Sequence, residues 1–370
     1  MSLSTATIAT DASMSLSFAE YLEIVVDILT FPVAIVLRIF SSANKQRTWA
    51  RAIGDSGMRA IVASRWSARQ MRYILGGTAT PIYTKWAKRN KLQVLTDEID
   101  ESAKLHWVGP RRFDRVVLFL HGGGLSFPPS PNDHLDFFLK VQLDLEATIE
   151  GAGVVFLEYS LTPDYPLPIQ LRQINAAMKY LISHGSQPAS IILVGDSAGA
   201  NLIMQLVSHI MHPLPNIPTP VSLSEPLGGA LLISPWISFD TSSPSFVEND
   251  KKDCTNTYLL DYLANILRPG IPLDQRDYFE PYVADDEWWD GLDKVVSRIL
   301  NTAGEVECLR DTILKFGETL KKHVKDTTIV VEKNGVHEDV LRDFGVGQGG
   351  KSDAYHLYIA WLSETFNGRH

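Results

Sequence analysis

From about residue 103 onward, apolar runs of strand length alternate with longer segments whose apolar residues recur at helical spacing, and few folds accommodate that alternation. The strand-length runs are 116–120, 154–159, 191–194, 230–233, 297–302 and 328–331; the helical segments are 168–182, 198–211, 311–323 and 353–365. A run such as Val-Val-Leu-Phe-Leu at 116–120 keeps no polar face for solvent. Strands of that kind are buried on both sides, as in a mostly parallel sheet covered by helices. The expected fold class is therefore α/β, with a doubly wound, mostly parallel sheet.

Two stretches break the alternation: the segment up to about residue 90, and a polar insertion at about 239–289 that carries Pro and Trp. In open α/β sheets the ligand sits at the carboxyl ends of the strands, where added helices roof the pocket and exclude water. The expected organisation is a helical segment, 1–90, contributing to a cap, and a catalytic domain, 91–370, interrupted by a cap insertion at 239–289. A chain of 370 residues, 45% hydrophobic, is long enough for one large core and such a subdomain.

The two cysteines, Cys254 and Cys308, lie far apart with no Cys-x-x-Cys spacing, so neither a disulfide framework nor a zinc site is expected, and a reducing, cytoplasmic compartment is the default. The net charge of −9 hides a basic segment, 38–92, in which twelve Lys and Arg residues stand against one acid, Asp55. These charges are interleaved with Trp49, Ile53, Trp66, Ile74 and Trp86. They read as solvated faces of packed helices rather than a nucleic-acid patch. Residues 24–37 carry one charge, Asp27, and a Pro at 32; the stretch is too short to span a bilayer and lacks the basic flank of a signal peptide. It reads as a cap helix or as an interfacial helix with Arg38, Lys45 and Arg47 at its exit, and the second reading implies peripheral membrane contact through residues 18–47.

Gly195-Asp196-Ser197-Ala198-Gly199 follows the strand run 191–194 directly and precedes a helical segment. A G-x-S-x-G sequence in that setting lifts its serine above the sheet on a tight strand-to-helix turn, and the helix N-terminus behind it favours developing negative charge. Ser197 is thus a candidate nucleophile. After the strand run 116–120 comes His121-Gly122-Gly123-Gly124, whose glycines let backbone N–H groups turn toward a substrate oxygen. Gly122, Gly123 and Ala198 are the expected oxyanion donors. The loop lacks both the Lys-Ser/Thr of a P-loop and the G-x-G-x-x-G spacing of a dinucleotide site.

A serine needs a base, which in this architecture follows an acid in the chain. His337 sits just after the last strand run, whereas His323 and His356 fall inside helical patterns. The acid should leave the preceding strand, 297–302. Glu307 is best placed there, with Glu305 and Asp311 as alternatives, Asp311 at the start of the next helix.

Together these residues resemble the hormone-sensitive-lipase-like branch of the α/β-hydrolases, which pairs HGGG with GDSAG. The stretch 159–168, Tyr-Ser-Leu-Thr-Pro-Asp-Tyr-Pro-Leu-Pro, is similar to a characteristic segment of that branch, as is Ser234-Pro235-Trp236. Glu307-Cys308-Leu309-Arg310-Asp311 resembles its acid-x-Leu-x-Asp box, although many members carry Asp at the first position. The likeness covers 106–337 and looks closest to fungal members, some of which act on acetyl esters of sterols or secondary metabolites.

The resemblance implies an α/β-hydrolase fold with a helical cap, and a serine carboxylesterase that needs neither cofactor nor metal. Its expected substrate is a small hydrophobic ester with a short-to-medium acyl group. Leu125, Phe127, Trp288 and Trp289 are candidate pocket walls. The competing readings are an acyltransferase or biosynthetic protein, and a hydrophobic-ligand receptor; nucleic acid is not an expected partner, and the oligomeric state is left open.

Overall fold

The computed structural model describes residues 15–368; residues 1–14 and 369–370, the outer ends of the two expected segments, lie outside them. Eight strands form one sheet: β1 (Leu95–Glu98), β2 (Lys104–Trp107), β3 (Arg115–Leu120), β4 (Ala152–Glu158), β5 (Ile191–Asp196), β6 (Gly229–Ile233), β7 (Ile299–Gly304) and β8 (Thr327–Glu332). Their order is β1-β2-β4-β3-β5-β6-β7-β8. From β4 to β8 all neighbours are parallel, and β2 and β1 extend the β4 edge antiparallel. The six expected strands coincide with β3 to β8 to within two residues at each end. The edge pair β1–β2 was not expected: four residues each, carrying Thr96, Asp97, Glu98 and Lys104, they show no apolar run and owe their extended form to pairing.

Alternation along each strand sends side chains to two cores. Val116, Leu118 and Leu120 pack with α6 (Ile169–Ser183), α7 (Ala198–Met211) and α11 (Arg310–His323) on one face. Val117 and Phe119 pack with α4 (Ala79–Arg89), α5 (Asp136–Glu146) and α13 (Asp353–Phe366) on the other. The last N-terminal helix, α4, therefore belongs to the sheet body, with Tyr83 and Trp86 buried there.

The remaining N-terminal helices, α1 (Phe18–Ile39), α2 (Trp49–Ala63) and α3 (Ala68–Leu75), pack on one another. Residues 239–289 contribute α8 (Pro244–Asn249), α9 (Thr257–Leu267) and α10 (Arg276–Phe279). Most of the basic residues of 38–92 are exposed, as expected of solvated helix faces, but Arg51, Arg59 and Arg72 are buried. Arg51, 3% exposed, pairs with Asp55 on its own helix and with Asp339 and Asp343 on α12 (Asp339–Gly345), and Arg47 joins it at Asp339. These charges tie α2 to the helix that follows His337. The outer face of α1 is different: Leu22, Val26, Leu29, Val33 and Leu37 are all exposed. Among the described residues no helix is long and apolar enough to cross a membrane.

Candidate active site

Six parallel strands deliver their carboxyl ends to one edge, and the candidate residues hang from them. Ser197 stands between β5 and α7 at φ 48°, ψ −115°, a conformation costly for a non-glycine residue and characteristic of strained functional turns. Gly199 is obligatory behind it, because a Cβ there would collide with the Leu120 carbonyl oxygen. The Ser197 N–H donates to Ile233 O at 2.9 Å, so the turn is anchored to β6.

His337 follows β8, and its Nδ1 lies 2.7 Å from Glu307 Oε1. Glu307, wholly buried after β7, accepts through Oε2 the Gly304 N–H at 2.7 Å and the Ser234 hydroxyl at 3.0 Å. Glu305 instead accepts the Asn334 N–H, and Asp311 accepts the Ser245 N–H while pairing with Arg310. His323 stands beside Asp286 and Asp290, and His356 is exposed on α13. Ser197 and His337 open into the same cavity. Among the described residues no hydrogen bond joins Ser197 Oγ to His337; the other ring nitrogen, Nε2, faces Glu338 Oε1 at 3.6 Å. Burial works against charge on the imidazole, but Glu338, Glu307 and Asp253 together push His337 up to about 10.

In the HGGG loop, His121 is buried, stacked on Tyr159 at 4.3 Å with Nδ1 2.8 Å from Gly122 O. Burial and the neighbouring His134 push it down to about 4, so it is a neutral loop anchor. The Gly122 N–H donates to Asp196 Oδ2 at 2.7 Å. That internal bond corrects the expected oxyanion set, because an amide spent on a buried carboxylate is not offered to substrate. Among the described residues no protein acceptor stands at the amides of Gly123 and Gly124, which lie at φ +95° and +63°. Ala198, at the first position of α7, has no intrahelical acceptor either.

The model of the alpha/beta hydrolase fold family matches residues 117–341. The chain belongs to that family. An acetyl-hydrolase of Streptomyces hygroscopicus is 33% identical over 135 residues, covering 35% of this chain and 39% of that protein. The chain spans less than half the length of this and other curated relatives. Among solved structures, an esterase from the bacterial hormone-sensitive lipase family aligns at TM-score 0.61 and 21% identity, covering 87% of this chain and 99% of that one. A structure described among two fungal esterases from Rhizomucor miehei aligns at TM-score 0.65 and 18% identity, covering 88% and 98%. At those identities the structures speak to the fold.

The cavity of this α/β-hydrolase is lined by helices of the N-terminal segment and of the 239–289 insertion. Met58 and Ile61 come from α2, Met71 and Leu75 from α3, and Leu260 and Leu263 from α9, over Phe127 and the Ser197–His337 floor. Three expected walls lie elsewhere. Leu125 is 1% exposed in the core; Trp288 packs on His212 at 4.0 Å, and Trp289 is buried against Phe316 at 5.5 Å.

His134, Asp196 and Glu338 form the one His/Cys/Asp/Glu group among the described residues compact enough to hold a metal. His134 Nε2 is 3.0 Å from Asp196 Oδ2; burial opposes its charge, yet Asp196 holds His134 up at about 9. Asp196 is thereby committed to His134, to the Gly122 N–H and to the Glu338 carboxyl.

Sequence reasoning missed Asp253, whose Oδ1 accepts the His337 N–H at 2.7 Å and whose Oδ2 accepts the Cys308 N–H at 2.8 Å. It also assigned no role to Ser234, whose hydroxyl donates to Glu307 and accepts the Glu338 N–H at 3.1 Å. Ser234 carried a signal in its Ser-Pro-Trp motif; Asp253 carried none.

Proposed function

We propose that the chain is a serine carboxylesterase acting on short-to-medium acyl esters of a hydrophobic small molecule through an acyl-enzyme. The observation that carries this reading is the 2.7 Å Glu307–His337 pair standing with Ser197 on the floor of one capped, largely apolar cavity. Ser197 attacks the ester carbonyl while His337 takes its proton. Glu307 holds the ring by Nδ1 so that Nε2 is the working nitrogen. The oxyanion is received by the amides of Gly123, Gly124 and Ala198, each worth on the order of 3 kcal/mol of barrier in comparable sites. His337 then returns the proton to the leaving alcohol, and water repeats the sequence on the acyl-enzyme. Relatives named acetyl-hydrolase, esterase and carboxylesterase agree with this chemistry.

The test is hydrolysis of p-nitrophenyl acetate, butyrate, octanoate and palmitate by the wild type and by Ser197→Ala. Serine-dependent cleavage that falls with chain length is the expected result; a folded protein inert on every ester sinks the reading. Peripheral contact of residues 18–47 with an anionic membrane belongs to the same proposal. It is supported by the exposed apolar face of α1 and by Arg38 and Lys45 at its exit. Equal flotation with anionic vesicles of the full chain and of a chain lacking residues 1–45 would overturn it.

A further inference from the structure

We propose that Glu338 competes with Ser197 for Nε2 of His337, acting as a positioning residue that holds the ring away from the nucleophile in the empty site. The inference rests on the assignment of His337 as the base. Glu338 Oε1 lies 3.6 Å from Nε2 and is buried without a hydrogen-bond partner among the described residues. Its backbone is held in the left-handed region, φ 56° and ψ 40°, by the N–H bond to Ser234 Oγ and by the first turn of α12, where the N–H groups of Leu341 and Arg342 donate to Glu338 O. A non-glycine residue pays for that conformation, which sets the carboxyl between Asp196, to which it is hydrogen-bonded, and the His337 ring.

Gly122 provides the room. A Cβ there would overlap Asp196 Oδ2 and stand 2.7 Å from Glu338 Oε1. The first glycine of the loop is therefore required by a pair of carboxyl groups rather than by the oxyanion. Asp196 and His134 face Glu338 from the end of β5 and the turn before α5, with Tyr159 nearby after β4. Glu307 and Asp253 face His337 from the loop after β7 and from the cap insertion.

A carboxylate against Nε2 stabilises the Nε2–H of an imidazolium, and an imidazolium cannot accept the serine proton. Burial and the adjoining Asp196, to which its carboxyl is hydrogen-bonded, push Glu338 up to about 8, so Glu338 is ionised before His337 gives up its proton and then stands as a carboxylate against the charged ring. The nucleophile gains its base when His337 releases that proton and the Glu338 carboxyl no longer stands at Nε2.

The test is an NMR titration of the His337 ring in the wild type and in Glu338→Gln, with His337→Gln to assign the signal. The ring pKa is expected to fall by about one pH unit in Glu338→Gln. Glu338→Asp, which suits a left-handed backbone and draws the charge back, should give an intermediate value and carries the comparison if the Gln variant does not fold. A ring titration that is the same in the wild type and in the variants overturns the proposal. Because the titration needs no turnover, failure of the esterase reading shows separately, as absence of Ser197 labelling by a fluorophosphonate.

Discussion

Asp253 accepts the backbone N–H of His337 through one carboxylate oxygen at 2.7 Å and that of Cys308, beside Glu307, through the other at 2.8 Å. A single buried side chain of the cap insertion thereby holds the loops of the base and the acid in register. Asp253→Asn leaves one acceptor where two stood and turns an amide N–H toward another N–H. We expect kcat/KM on p-nitrophenyl butyrate to drop by about 10- to 100-fold, since misplacement by about 1 Å costs that much. Unchanged kcat/KM in a folded Asp253→Asn protein would show the clamp to be idle.

Glu307→Gln should lower kcat by about three to four orders of magnitude, because an amide no longer holds the imidazole tautomer or its charge. Asp311→Asn should stay within a few-fold, since Asp311 serves Ser245 and Arg310. Steady-state kinetics on the two variants decide between them, and the reverse ranking would displace Glu307.

The raised affinity of His337 for its proton sets a pH dependence. The base works only when neutral, and its neighbours hold it protonated up to about 10 in the empty site. The kcat/KM profile should therefore climb with pH through the alkaline range instead of reaching its plateau near the ordinary histidine value. A plateau already complete at pH 7 would contradict the electrostatics of this site.

Arg51 meets three carboxylates in a nearly dry setting. Arg51→Met leaves Asp55, 1% exposed, and Asp339 with Arg47 as their shared cation and takes the Arg51 partner from Asp343, and removal of one partner from a buried ion network costs about 3 to 5 kcal/mol. Urea unfolding of the variant should show a loss of that order, with turnover falling in parallel because α12 begins two residues after His337. A loss below about 1 kcal/mol would place the network among surface pairs of little weight.

Much of this was readable from contiguous residues. The elbow at 195–199 names a strand, a turn and a helix in five positions, and the structure places β5, Ser197 and α7 there. The order of serine, acid and histidine along the chain reflects strand order across the sheet, so the candidates on the loops after β5, β7 and β8 could be read before any coordinates. Strands buried on both faces announce themselves by composition alone, which is why β3 to β8 were legible while the edge pair β1–β2, stabilised by partners rather than by its own apolar content, was not.

What depends on contact between distant segments was beyond that reading. Glycine at 122 permits an oxyanion amide and a close approach of carboxyl groups equally well; only the position of Asp196 Oδ2, 2.7 Å from its N–H, decides which use is made of it. Leu125, Trp288 and Trp289 are as apolar as Met58, Met71 and Leu263, but the first three point into the body and the last three into the cavity. Asp253 and Glu338 are ordinary acids in sequence. The sequence by itself determined the chemistry available at the carboxyl edge of the sheet, because that chemistry is written in local turns. The tertiary structure alone decided which buried carboxylates stand against His337, because burial and a few ångströms of separation, not residue type, set their charge and their effect.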